Sequence, residues 1–504
     1  MVDEAQTKAA ADPEPAPTPK DQLVTTRHTI TIDGKEIAYS VTCGTIVLKE
    51  EAVKKGEKEG ESDGEKARAT MFFVAYTRDG VENPAARPLT FSFNGGPGSS
   101  SVWLHLGLLG PRKVEMGDAG NLLPPPYGLS DNPYSLLDVT DLVFIDPVST
   151  GYSRPVPGEK AVSFHGFKKD IEWVGEFIRL YTSRYQRWTS PKFLIGESYG
   201  TTRASGLSGY LQSRHGLYLN GIMLVSAVLD FQTLEFEAHN DLPYILFLPT
   251  YAATAWYHQQ LSADLQQKPL RKLLDEVEAF ALNEYSQALL LGSRLPASRR
   301  AQVARRLARY TGLSTAYIER ANLRVHIFRF TKELLREQRR TVGRLDSRFQ
   351  GIDRDAAGEI FEEDPSYSAI QGPYTAAFNQ YVRAELGFES DLPYEILANI
   401  WQTWRYSEHE NKYVDVAETL RSAMTANPFL KVYVANGYYD LATPYFATEH
   451  TFNHLDLDPS LQANVSMGYF EAGHMMYVHA ASLARLKADL ASFINAAAPA
   501  KLVQ

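Results

Sequence analysis

One cysteine in 504 residues, Cys43, removes two classes of explanation at once. No intrachain disulfide can form and no cysteine-based metal cluster can assemble, so stability rests on packing and hydrogen bonds. Its setting, Val41-Thr42-Cys43-Gly44, reads as a half-buried strand in which the thiol is a small core side chain rather than a nucleophile. Positive charge is not in excess either. The chain has 51 Lys and Arg against 60 Asp and Glu, a net charge of -9, which disfavours bulk attraction to nucleic acid or anionic membrane. No run of about 20 apolar residues suggests a membrane span. The amino terminus lacks the basic start and apolar core of a secretory signal, which fits a cytoplasmic enzyme and equally an exported one whose signal has been removed. Walker A, dinucleotide-loop and H-E-x-x-H motifs are missing as well, so nothing in the sequence asks for a metal or cofactor.

What is present is a chain built to fold. Apolar residues make up 44%, and 24 Phe, 28 Tyr and 6 Trp are far more aromatic surface than a disordered chain carries. Residues 1–27, rich in Ala and Pro at the start, read as a flexible lead, with structure expected from His28. A strand pair is expected over His28 to Leu48, and Lys49 to Arg68 reads as a solvated excursion because it has no apolar period. Short apolar runs at 71–76, 89–93, 141–146, 193–195 and 222–228 then alternate with helical spacing such as Phe167, Ile171, Val174, Phe177 and Ile178. Similar runs return at 430–434 and 467–470, before a closing helix over 480–494. This rhythm predicts an α/β fold with a mainly parallel sheet, its core split into 28–228 and 405–504. The intervening span, 229–404, reads as an inserted helical cap. Within it, Arg294 to Arg348 holds fifteen Lys or Arg and four Asp or Glu. That window is either a solvated helical surface or a basic rim for acidic ligands; it has no nucleic-acid recognition motif.

Gly196-Glu197-Ser198-Tyr199-Gly200 fits G-x-S-x-G between a strand and a helix, where two glycines permit a sharp elbow that projects a serine hydroxyl. Ser198 is therefore the candidate nucleophile. A serine needs a base to take its proton and an acid to orient that base. Asp440 and His474 supply them, each just beyond a short apolar strand, and the order Ser198, Asp440, His474 is that of α/β-hydrolases. Upstream, Phe93-Asn94-Gly95-Gly96-Pro97-Gly98 closes another strand with small residues, so the backbone N–H groups of Gly96 and Tyr199 are the candidate oxyanion hole.

Taken together, Asn94 to Ser100, Gly196 to Tyr199 and Gly473-His474-Met475 resemble serine carboxypeptidases, as do Asn132 to Ser135, Asp146 to Ser153 and Asn436 to Asp440. The resemblance implies an α/β-hydrolase core with an inserted helical cap, no cofactor, and removal of carboxy-terminal amino acids from peptides. It implies that Ser198, Asp440 and His474 form the triad, with Gly96 and Tyr199 at the oxyanion hole. Asn94, Gly95 and Glu197 would bind the terminal carboxylate of a peptide substrate, and Tyr199 and Met475 would line the specificity pocket. A protonated Glu197 could donate a hydrogen bond where an ionised one would repel. Three departures stand out. Ser99 replaces a cysteine found in many members, Gly200-Thr201 replaces Ala-Gly, and Leu108 stands where many have a Glu that partners the acid beside the nucleophile. An esterase or acyltransferase with the same triad, and an inactive peptide-binding protein, are the alternative readings.

Overall fold

The computed structural model describes residues 19–54, 60–117 and 121–498. Short runs with no polar face become the middle of one sheet, because strands covered on both sides need no alternation. In chain order the principal strands are β1 (Gln22–Ile32), β2 (Lys35–Val53), β3 (Ser62–Arg78), β4 (Leu89–Phe93), β5 (Asp141–Ile145), β6 (Lys192–Ser198), β7 (Gly221–Ala227), β8 (Lys431–Gly437) and β9 (Val465–Phe470). Their spatial order is β1-β2-β3-β5-β4-β6-β7-β8-β9, with a two-residue tenth strand, Arg154–Pro155, on β3. From β5 to β9 every pairing is parallel, whereas β1, β2, β3 and β5 pair antiparallel at one edge. This is the expected α/β architecture.

Helices Phe167–Arg184 and Tyr199–His215 pack one face of the sheet through Ile171, Val174, Phe177, Leu207 and Leu211. Helix Ala480–Ala497 covers the other through Leu483, Leu486, Leu490 and Ile494. The loops that carry the candidate site residues leave the carboxyl ends of β4, β6, β8 and β9, four strands of the parallel part of the sheet. That is the end of an open parallel sheet where ligands bind.

Three expectations need adjustment. Strand β1 begins at Gln22, six residues before His28, while residues 1–18 of the expected lead lie outside the described residues. The stretch 49–68 is not simply an excursion. β2 continues to Val53 and β3 starts at Ser62, paired at Lys49↔Ala67, Glu50↔Lys66 and Glu51↔Glu65. Most of these side chains are exposed on both faces, so the ladder rests on backbone pairing and leaves no period-two apolar signal. The span 229–404 also divides into two packing groups. Helices Leu242–Tyr257, Leu270–Phe280 and Ala297–Thr311 build a separate apolar core. Helix Pro365–Ala384 instead places Ile370, Tyr374, Phe378 and Tyr381 in the core of the sheet with Phe72, Tyr76 and Phe144. Tyr381 OH lies 3.0 Å from Tyr76 OH.

Candidate active site

The elbow is built as its glycines require. Ser198 sits at φ 59°, ψ -131° between β6 and the helix that opens at Tyr199, a backbone region costly for a residue with a side chain. A Cβ on Gly200 would lie 2.8 Å from Phe93 O, so the helix could not approach β4 this closely with any larger residue. The neighbouring contact is equally tight: a Cβ on Gly95 would lie 2.5 Å from the amide nitrogen of Tyr199. The glycine loop and the elbow therefore meet backbone to backbone, with Gly95 against the Tyr199 amide at the start of the helix, where N–H groups precede the first intrahelical bonds.

His474 and Asp440 are buried together, with His474 Nδ1 2.8 Å from Asp440 Oδ2. Asp440 also accepts from Ala442 N at 2.7 Å and Thr443 N at 3.0 Å through Oδ1, and from Thr443 Oγ1 at 2.7 Å through Oδ2. The His474 loop is pinned by its own N–H to Leu345 O and by Ser226 Oγ to its carbonyl, both at 2.7 Å. Burial works against a charged imidazole, but Asp440's charge and hydrogen bond outweigh it and hold His474 above its ordinary pKa. Among the described residues no hydrogen bond joins Ser198 Oγ to His474. The half-buried Ser198 and the buried His474 line one cavity of about 530 Å³.

Glu197 is buried directly before Ser198. Burial pushes its pKa up to about 7, against the lowering effects of nearby His474 and of hydrogen bonds from Tyr477 and Asn94. Asn94 Nδ2 donates to Glu197 Oε1 at 3.0 Å, and Tyr477 OH donates to Oε2 at 2.6 Å. Asn94, Gly95, Gly96, Glu197, Ser198, His474 and Met475 thus border the same cavity. Its apolar wall comprises Trp103, Tyr367, Ile370, Leu397, Trp401 and Met475. A second cavity of about 310 Å³ also borders Ser198 and Gly96, walled by Tyr199, Phe231, Phe236, Phe247, His326 and Phe328. Tyr199 is packed edge-on against Trp404, ring centres 5.6 Å apart.

Of the residues that shape the site, Asp170 and Arg203 carried no sequence signal, whereas Asp146 and Asn132 belong to segments already singled out by the resemblance. Arg203, 1% exposed, donates from Nε to Asp170 Oδ2 at 2.7 Å and from Nη1 to Asn94 O at 2.5 Å, while Tyr199 OH donates to the same Asp170 oxygen at 3.2 Å. This buried pair ties the glycine loop at Asn94 to the helix that opens at Tyr199; its role is positional, since such pairs contribute little net stability. Asp146 receives Ser101 N and Oγ at 2.8 and 2.7 Å, anchoring the turn after the glycine loop, and burial lifts its pKa to about 6. Asn132 Nδ2 holds Leu108 O and Gly110 O at 2.9 and 2.8 Å. Of the fifteen basic residues between 294 and 348, seven face carboxylates of the described residues at ion-pair distance: Arg306, Arg309, Arg324, Arg329, Lys332, Arg336 and Arg348. Nearly half of the apparent basic window is neutralised within the fold.

The family model for serine carboxypeptidases matches residues 61–482. The chain belongs to the serine carboxypeptidase family. Serine carboxypeptidase-like 20 of Arabidopsis thaliana is 31% identical over 133 residues, 25% of this chain and 24% of that protein. Serine carboxypeptidase-like 34 of the same plant is 26% identical over 230 residues, 42% of this chain and 40% of that one. The matched stretches thus span well under half of these relatives. Kex1, a prohormone-processing carboxypeptidase of Saccharomyces cerevisiae, superposes with a TM-score of 0.55 at 17% identity, covering 90% of this chain and 91% of that one. The likeness in structure is one of fold.

Within the family, this member resolves its departures locally. Ser99, in place of cysteine, accepts from Trp103 Nε1 at 2.8 Å. Thr201 Oγ1 donates to Ser198 O at 2.7 Å and accepts from Val228 N at 2.9 Å, bracing the elbow. Leu108 is fully buried in the core and reaches no polar group of the site.

Proposed function

We propose that this protein is a serine carboxypeptidase that hydrolyses the last peptide bond of substrates ending in a free carboxylate. Glu197 carries the reading: a carboxyl group buried beside the nucleophile, bordering the cavity with Asn94 and Gly95, and pushed by burial up to about 7 so that it keeps its proton at acid pH. Plain esterase chemistry has no use for such an acid. A terminal carboxylate does, because a neutral Glu197 donates to it, whereas two like charges about 4 Å apart repel by about 4 kcal/mol at an effective dielectric of about 20, roughly a thousandfold in affinity.

In the proposed reaction His474 Nε2 accepts the Ser198 proton as Oγ adds to the scissile carbonyl carbon. Charge that develops on the carbonyl oxygen meets the Gly96 and Tyr199 N–H groups. Collapse breaks the C–N bond, and His474 passes its proton to the departing amine, releasing the terminal amino acid. A water, deprotonated by His474, adds to the acyl ester; collapse frees the shortened peptide and returns the proton to Ser198. The leaving residue occupies the larger cavity and the acyl residue the aromatic one lined by Tyr199. No metal or cofactor enters any step.

The test compares kcat/KM for a blocked peptide and its carboxamide from about pH 4.5 to 8. An acid raised by burial keeps its proton below its shifted value and loses it above. Preference for the free carboxylate should therefore hold at acid pH and fade as pH rises through about 7. In Glu197→Gln, which donates at every pH without acquiring charge, preference should persist to neutral pH whether or not turnover improves. If neither enzyme distinguishes the two end groups, the carboxylate site is wrong and general acyl transfer becomes the better reading.

A further inference from the structure

The two oxygens of Glu197 have different holders. Oε1 accepts from Asn94 Nδ2 at 3.0 Å, and this amide has one orientation because Asn94 Oδ1 accepts from Leu104 N at 3.1 Å. Oε2 accepts from Tyr477 OH at 2.6 Å, and Tyr477 is only 3% exposed, so its hydroxyl has little access to competing water. Tyr477 reaches the site because residue 107 is glycine. A Cβ there would collide with the Tyr477 ring, lying 2.6 Å from Cδ2, and would also lie 2.5 Å from Tyr374 OH. Gly107 and Tyr477 thus form a single packing solution in which a phenol supports the buried acid.

We propose that Tyr477 is a positioning residue of the terminal-carboxylate site, fixing the Glu197 carboxyl group against Asn94 and setting the pH up to which the site accepts a carboxylate. The inference rests on the carboxypeptidase reading of Glu197. With one lone pair of each oxygen engaged by Asn94 and Tyr477, the acid's proton is left to the remaining lone pairs of a carboxyl group that borders the cavity. A phenol donates throughout the working range because burial holds its own proton well above the ordinary value. The titratable and polar groups around Glu197 are His474 and Asp440 from the loops after β9 and β8, Tyr374 from helix Pro365–Ala384 and Asn94 from the glycine loop, with Arg344, Glu363 and Asp364 bordering the same cavity. Tyr477 and Asn94 are the two whose hydrogen bonds it accepts. A donor to the ionised carboxylate favours ionisation, so removing the phenol oxygen must raise the pH at which Glu197 loses its proton.

The experiment uses Tyr477→Phe in the full chain, which keeps the ring against Gly107 and deletes one oxygen; thermal melts confirm that wild type and variant are equally folded. Two readouts are taken. In a Ser198→Ala background without substrate, the Glu197 carboxyl band is titrated by infrared difference spectroscopy and assigned by its absence in Glu197→Gln. In active enzyme, the carboxylate-to-carboxamide ratio of kcat/KM is followed over the same pH range. The expected result is a midpoint raised by about one pH unit in both readouts, with the ratio at the acid plateau lowered about tenfold as the carboxyl group loses its fixed orientation. An infrared midpoint unchanged by Tyr477→Phe overturns the inference, since packing alone would not move that titration. A shifted infrared midpoint with a wild-type ratio independent of pH overturns it differently, through the failure of the carboxylate reading on which it rests.

Discussion

Ser198→Ala is expected to abolish peptide turnover, lowering kcat on the order of 10⁶-fold, while leaving the fold intact. The size follows from chemistry: alanine has no oxygen to attack the carbonyl, and what remains is oxyanion binding and substrate positioning. The intact fold follows from the elbow. Its strain is a backbone property of position 198, with φ 59° enforced by the close approach of Gly200 to β4 and of Gly95 to Tyr199 N. Alanine occupies that conformation with a smaller side chain, and the Ser198 carbonyl that receives Thr201 Oγ1 is unchanged. The measurement is turnover by equally folded samples, paired with mass analysis after treatment with a serine-directed phosphonate. Wild type should gain one adduct at Ser198 and the variant none. Unchanged turnover in the variant would remove Ser198 from the mechanism, and an unlabelled wild type that still binds peptides would favour a binding protein.

Asp440→Asn should lower kcat about 10⁴-fold with a smaller effect on stability. Asparagine Oδ1 can still accept from Ala442 N and Thr443 N, so the loop keeps two of its bonds. The other atom of the amide then presents a donor to His474 Nδ1, which must become an acceptor. The proton moves to Nε2, where it faces Ser198 and cannot accept the hydroxyl proton. The charge that holds His474 above its ordinary pKa disappears as well, so the acid limb of the residual activity should shift to lower pH. Comparing kcat and its pH profile with wild type checks both effects. A loss below tenfold, or an acid limb that does not move, would mean that Asp440 does not orient His474.

The parts of the site legible in the sequence are those written in local pattern. Ser198 lies in a five-residue turn motif, and Asp440 and His474 each follow a short apolar strand, so their chain order and flanking strands announced them. Glu197 and Asn94 could be named through resemblance because both sit inside contiguous motifs. Asp170, Arg203 and Tyr477 could not. Tyr477 meets a carboxylate 280 residues away in sequence, and the Asp170–Arg203 pair joins two helices whose polar residues look like any others. Such contacts leave no periodicity. Helix Pro365–Ala384 illustrates the same limit for the fold: spacing marks it as helical, but amphipathicity does not say which apolar surface it covers, and here that surface is the sheet. Exposed strand tails at 49–53 and 62–68 were lost for the opposite reason, since backbone pairing holds them and their side chains follow no burial pattern.

The most direct test of carboxypeptidase action is to incubate a small set of amino-terminally blocked peptides with the enzyme and weigh every product over time. Wild type should release the free carboxy-terminal amino acid and leave a peptide shorter by that one residue, then by the next, with the amino-terminal block retained. Ser198→Ala should yield none of these products. Fragments cut at internal bonds, equal cleavage of peptides and their carboxamides at acid pH, or hydrolysis of esters with peptides left whole would contradict the account.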